Sequence, residues 1–157
     1  MTIIVGSDHG GVDLKRQLIE FLNDAGHRVK DMGVDSSEAA DYPDVAAKTC
    51  FEFNAGNYDF GILVCGTGIG ISMAANKIDG IRCTPVWDIF SSEMAKAHNN
   101  ANFVAFGGRI KYAVPITAML TVFMETGFEG VTPQGDRHVR RVEKIAALER
   151  AVRDRLV

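Results

Sequence analysis

The chain has 157 residues, 46% of them apolar and 24% charged, enough to bury a core as one domain over residues 1–157 without disulfide or metal staples. With 17 Lys and Arg against 20 Asp and Glu, the net charge of −3 argues against a nucleic-acid or anionic-membrane binder, which carries a basic excess. The opening MTIIVGSDHGG lacks a secretion-signal layout, and the apolar run Ala113 to Met124 falls short of the ~20 residues that span a bilayer, so a cytoplasmic protein with no membrane partner is expected.

Thr2 to Gly6 is a β-branched run ending in Ser7-Asp8-His9-Gly10-Gly11, after which Leu14, Leu18, Phe21, Leu22 and Ala25 recur at helical spacing. His27 to Met32 predicts a second strand, Asp41-Tyr42-Pro43-Asp44 starts a helix to about Ala55, and Asp59 to Val64 is a continuous apolar strand. Gly66 to Gly70 opens a helix to about Lys77, Ile81 to Val86 is the fourth strand, Ser91 to Ala97 lies in a helix, and Asn102 to Phe106 is the fifth strand. Tyr112 to Thr126 predicts a buried helix and Val139 to about Arg155 a charged one, while Gly33 to Ala40 and Gly127 to Asp136 read as loops. Strands alternating with helices imply βαβ units. The expected fold is α/β, a three-layer α/β/α sandwich with a Rossmann-like five-stranded parallel sheet and a C-terminal helix.

In such sheets ligands gather outside the carboxyl ends of the strands, where Ser7 to Gly11 and Cys65-Gly66-Thr67-Gly68-Ile69-Gly70 should be neighbours. Three glycines in five residues free backbone N–H groups to face a phosphate or an oxyanion. The same glycines also suit a plain strand-to-helix turn, and a dinucleotide site is a third reading. The GxGxxG pattern needs its last glycine where Ile71 stands, although Asp88 lies roughly where a ribose-binding acid belongs. No Lys-Ser or Lys-Thr follows, which excludes a Walker loop. Cys50, Cys65 and Cys83 are odd in number and contain no CxxC pair, so neither a disulfide framework nor a thiolate zinc site fits. Cys65 stands beside glycine donors and Thr67, the parts needed to remove a proton and stabilise the resulting oxyanion; Cys50 and Cys83 read as packing residues.

His98-Asn99 precedes the fifth strand and therefore belongs to the sheet edge opposite Cys65, about 17 Å away for a five-residue strand at ~3.3 Å per residue. It is either a polar helix end or part of another subunit's site, and the second reading predicts a dimer. Arg137 and Arg141, at i and i+4, suit either a phosphate clamp or a solvated face, and Arg109 is a third candidate cation. A zinc site from His9, His98, His138 and Asp8 lacks ligand spacing such as HExxH, so no metal is expected.

Taken together, Ser7-Asp8-His9-Gly10-Gly11, Asp41-Tyr42-Pro43-Asp44, Gly61 to Ser72 with Ala74-Ala75-Asn76-Lys77, Gly80-Ile81-Arg82, His98-Asn99 and Gly135-Asp136-Arg137-His138 resemble the ribose-5-phosphate isomerase B family, which includes galactose-6-phosphate isomerase subunits. The resemblance runs from Ile3 to about Ala147. It implies an aldose–ketose isomerase needing neither metal nor cofactor, working through a cis-enediolate on a phosphorylated sugar. It also implies a homodimer with active sites at the interface, where the C-terminal helix at about 138–155 packs; pairing of dimers into tetramers stays open. By this likeness Cys65 is the base between C1 and C2, and Gly66, Thr67, Gly68, Ile69 and Gly70 hold the enediolate oxygens. His98 opens the sugar ring, and Asn99 and Asp8 contact the substrate. His9, Arg137 and Arg141 grip the phosphate, and Tyr42 and Arg109 match further pocket positions. Cys83-Thr84-Pro85-Val86-Trp87 is bulkier than the family's usual run, Asn100 replaces a frequent aspartate, and Gln134-Gly135-Asp136 stands where Glu-Gly-Gly is typical. Ribose 5-phosphate is the first expected substrate, with tetrose, allose and galactose phosphates open. A phospholigand- or nucleotide-binding module without catalysis is the reading from a different class.

Overall fold

The chain forms five strands, four of them apolar and the edge strand β2 polar: β1 (Thr2–Ser7), β2 (Arg28–Asp31), β3 (Phe60–Cys65), β4 (Cys83–Pro85) and β5 (Phe103–Gly107). Between them lie helices α1 (Val12–Asp24), α2 (Tyr42–Ala55), α3 (Ile69–Ala75) and α4 (Ile89–Ala97), and after them α5 (Ile116–Glu125) and α6 (Asp136–Arg153). The computed structural model describes residues 1–36, 38–133 and 135–154, with Val152 and Arg153 described by backbone alone. All strand pairings are parallel, in the order β2-β1-β3-β5-β4.

Side chains alternate across each strand, so the sheet feeds two cores. Ile3, Val5, Ile62, Val64, Val104 and Phe106 face Leu18 and Leu22 of α1, Ala95 of α4 and Met119, Leu120 and Phe123 of α5. Ile4, Leu63, Cys65, Phe103 and Ala105 face Val45, Ala46 and Cys50 of α2 and Ile71 and Ala75 of α3. The expected three-layer sandwich follows directly from this alternation. Packing between β3 and β5 is tight enough that a Cβ on Gly61 would stand inside the Phe103 ring. Gly61→Ala should therefore cost about 1–3 kcal/mol, seen as a lower urea midpoint at unchanged slope. An unshifted midpoint would mean that Phe103 has room to turn away.

Several boundaries differ from the sequence expectation. The helix expected from Tyr112 starts at Ile116, because Pro115 is extended at φ −57, ψ 135 and Tyr112 turns inward to accept the Gly107 N–H at 2.9 Å. The α3 helix stops at Ala75, short of Lys77, as the Asn76 side chain donates to the Cys83 carbonyl and accepts its N–H, both at 2.7 Å. The fourth strand shrinks to Cys83–Pro85 at the sheet edge, the place where a proline without an N–H is tolerated. The α6 helix begins at Asp136 rather than Val139; its expected end near Arg155 lies outside the described residues. The loop after α5 includes a 3-10 turn, Glu129–Val131.

Lys15 is fully buried, with its ammonium on Asp31 at 2.7 Å and Asp35 at 2.8 Å. This pair of contacts fastens the segment after β2 onto α1. The Lys15 hydrogen bond and charge hold the Asp35 carboxyl below the usual carboxylate range.

Candidate active site

Parallel strands end together, so β1, β3 and β5 deliver three loops to one edge. Register pairs Ser7 with Val64 and Cys65 with Gly107, and the loops are tied by Asp8 N–H to the Val64 carbonyl (3.1 Å), Gly108 N–H to Cys65 (2.8 Å) and Arg109 N–H to Gly66 (3.0 Å). Glycine is required here by close approach: a Cβ on Gly10 would meet the Gly66 nitrogen at 2.9 Å, and one on Gly108 would strike the Gly10 carbonyl. Asp8, nearly buried, accepts the Gly10 N–H at 2.8 Å. His9 accepts the Ala40 N–H on Nδ1 at 3.2 Å, which assigns its ring proton to Nε2 and leaves that atom a donor.

The Cys65 side chain lies under the loop that follows it. Its Sγ accepts the Gly68 N–H at 3.1 Å, and Gly68 has φ +76, a conformation that favours glycine. Thr67 is exposed with its Oγ1 on the Ile69 N–H at 3.3 Å, and Gly66 and Gly70 are half-buried. Tyr42 covers Gly70, where a Cβ would sit 2.8 Å from its ring, and Arg109 is exposed beside Gly66. Asp8, His9, Tyr42, Arg109 and the 65–70 loop thus converge at the carboxyl edge.

His98, Asn99, Arg137 and Arg141 are elsewhere. His98 caps α4 immediately before β5, at the amino edge, and stacks on buried His138 with ring centroids 4.3 Å apart. Arg137 donates from Nε to His138 Nε2 at 3.0 Å, and the Arg141 charge also acts on His138. Asn99 lines a groove of about 830 Å³ between the β4 edge and α6 with Arg82, Thr84, Ile145 and Leu148. The sheet therefore separates the expected site residues into two sets, and it likewise splits the four-residue zinc grouping, leaving His9 and Asp8 far from His98 and His138.

A model of the family described as Ribose/Galactose Isomerase matches residues 3–145. The chain belongs to that family. Ribose-5-phosphate isomerase B of Escherichia coli is 39% identical over 94% of this chain and 95% of its own length. The galactose-6-phosphate isomerase subunit LacB of Clostridium acetobutylicum is 37% identical over 82% of this chain and 75% of its own. The solved ribose-5-phosphate isomerase B of Clostridium thermocellum superposes with a TM-score of 0.89 at 39% identity, covering 97% of this chain and 99% of that one. The aldose–ketose isomerase class implied by the motifs stands, on the α/β fold expected.

Within this isomerase the other two cysteines are inert packing groups. Burial pushes the Cys50 thiol up to about 12 and the Cys83 thiol well above its ordinary value. One site-edge residue escaped the sequence reading: Glu129, whose Oε2 lies 3.5 Å from His98 Nε2 and 3.4 Å from His138 Nε2. A Cβ on Gly135 would collide with the Glu129 carbonyl, so Gly135 lies against the 3-10 turn that Glu129 opens. The Glu129-Gly130 pair is the sequence signal for this residue, and Gln134 lies outside the described residues.

Burial, followed by the charge of His98, holds the His138 imidazole below its ordinary 6.5. The unfolded chain then binds more protons than the native one between the lowered value and 6.5, so this contribution is complete above that window and is lost as pH falls through it. Thermal stability should decline on acidification from about pH 7 to 5. A His138→Gln protein should decline less steeply, and an identical slope would assign the effect to other groups.

Proposed function

We propose that the protein interconverts D-ribose 5-phosphate and D-ribulose 5-phosphate, with each active site assembled from two copies of the chain. The observation that carries the reading is Cys65 with its Sγ held at the Gly68 N–H, inside a glycine loop at the carboxyl edge of a ribose/galactose isomerase fold. The Cys65 thiolate takes the C2 proton of the open-chain aldose. The electron pair moves into the C1–C2 bond and the carbonyl oxygen gains charge, giving a cis-enediolate whose oxygens meet N–H groups of Gly66 to Gly70 and the Thr67 hydroxyl. Return of the proton from sulfur to C1, with a proton passing from the C2 oxygen to the C1 oxygen, yields the ketose. Before that, His98 takes the anomeric hydroxyl proton and returns one to the ring oxygen.

Phosphate binding falls to one imidazole N–H and two guanidinium groups. His9 has Nε2–H free to donate because Ala40 occupies Nδ1, and Arg137 and Arg141 are exposed one turn apart on α6. Asp8, Tyr42, Asn99 and Arg109 complete the contacts. Dimerisation accounts for the division of these residues between opposite sheet edges, and α6, which touches its own body mainly at the 129–131 turn, supplies a surface for it.

The test is turnover of phosphorylated aldoses of four to six carbons without added metal or nucleotide, scored by kcat/KM. Highest turnover of ribose 5-phosphate supports the assignment; preference for a hexose phosphate moves it toward the galactose branch that the LacB likeness favours. Trp87, stacked on Tyr112 with centroids 6.5 Å apart at the carboxyl edge, is the residue whose bulk would separate these outcomes. Nucleotide binding without sugar turnover would overturn the isomerase reading.

A further inference from the structure

His98, Glu129 and His138 come from three separate segments, and their donor atoms all lie within 4.8 Å of one another. The two imidazoles stack at an interplanar angle of 19° and present Nε2 to the same carboxylate oxygen, at 3.5 and 3.4 Å. Donors bound to a tetrahedral zinc ion at ~2.0–2.1 Å stand about 3.3–3.4 Å apart, so the donor spacings match two edges of such a polyhedron, and half-buried His98 must turn out of its stack to bring the ion into both ring planes. His138 Nε2 accepts the Arg137 Nε–H and so carries a lone pair there, while facing a carboxylate oxygen that is itself an acceptor. Acceptors this close, with no hydrogen between them, call for positive charge at their meeting point. Arg137 now supplies it.

We propose that His98, Glu129 and His138 form a binding site for a divalent transition-metal ion of the zinc class, and that the ion inhibits sugar-phosphate turnover by displacing Arg137 and occupying His98. Two imidazoles and one carboxylate select zinc, cobalt or nickel over magnesium or calcium, which prefer oxygen alone. The inhibitory half rests on the proposed role of His98 in ring opening; the binding half stands on the geometry.

Untagged, metal-stripped protein carrying Cys65→Ala, which removes the loop thiol as a competing ligand, should bind one zinc per chain in equilibrium dialysis. Cobalt should give the intense visible bands of four-coordinate geometry without a sulfur charge-transfer band. Glu129→Gln, at a half-exposed side chain that keeps the fold, should weaken binding by roughly tenfold or more, the lower bound set by losses at outer-shell partners of metal sites. His138→Asn should do the same. No stoichiometric binding, or equal affinity in Glu129→Gln, overturns the site. With Cys65 present, zinc should inhibit turnover, chelator should reverse it, and sugar phosphate should compete. Stoichiometric binding without inhibition would keep the metal site and overturn the role given to His98.

Discussion

Cys65→Ala should lower kcat by about 10²–10⁴-fold or more, the contribution of a positioned general base, equivalent to about 3–5 kcal/mol of transition-state stabilisation. The fold should survive. Cys65 is buried at a strand end beside Leu63 and Cys83, and alanine removes only the sulfur and its bond from Gly68, for about 1 kcal/mol. The decisive comparison is ribulose 5-phosphate formation by Cys65→Ala and Cys50→Ala proteins of matched circular dichroism. Cys50 lies in the same core layer on α2, and the loop N–H of Gly68 goes to Cys65, so its replacement should leave kcat within a few-fold. Full turnover by Cys65→Ala would remove the cysteine from the mechanism and turn attention to the Thr67 side of the loop.

Mixing inactive Cys65→Ala and His98→Ala proteins should restore activity. If each site takes Cys65 from one subunit and His98 from its partner, a mixed dimer holds one doubly defective site and one intact site. Half of randomly exchanged dimers are mixed, so about a quarter of wild-type activity should return under two-fold symmetry. The motive is structural: His98 caps a helix at the amino edge of β5, whereas Cys65 pairs with Gly107 at its carboxyl edge. If labelled subunits exchange and no activity returns, sites shared between subunits are excluded.

Much of the architecture was legible because its signals are local. Short runs alternating with helical periodicity marked the five strands, and Gly66 to Gly70 after a buried strand marked the loop that holds Cys65. Even the separation of His98 from Cys65 followed from counting residues along a strand. Two helix boundaries turned instead on side-chain-to-backbone bonds across a turn: Tyr112 leaves the expected helix for the Gly107 N–H, and α3 ends where Asn76 finds Cys83. Neither partner is adjacent in the chain, so no periodicity announces it.

The odd number of cysteines and the small acidic net charge were fixed by composition, and the sequence alone assigned Cys65 to a glycine loop and Cys50 and Cys83 to packing. Only the tertiary structure decided that Gly68 donates to the sulfur, that burial pushes the other two thiols up, and that Glu129 joins His98 and His138. The reason is that a hydrogen bond or a charge cluster depends on distances set by the packing of whole layers. Residues 130–134 put several positions between Glu129 and Gly135 in sequence, yet the fold closes them to contact.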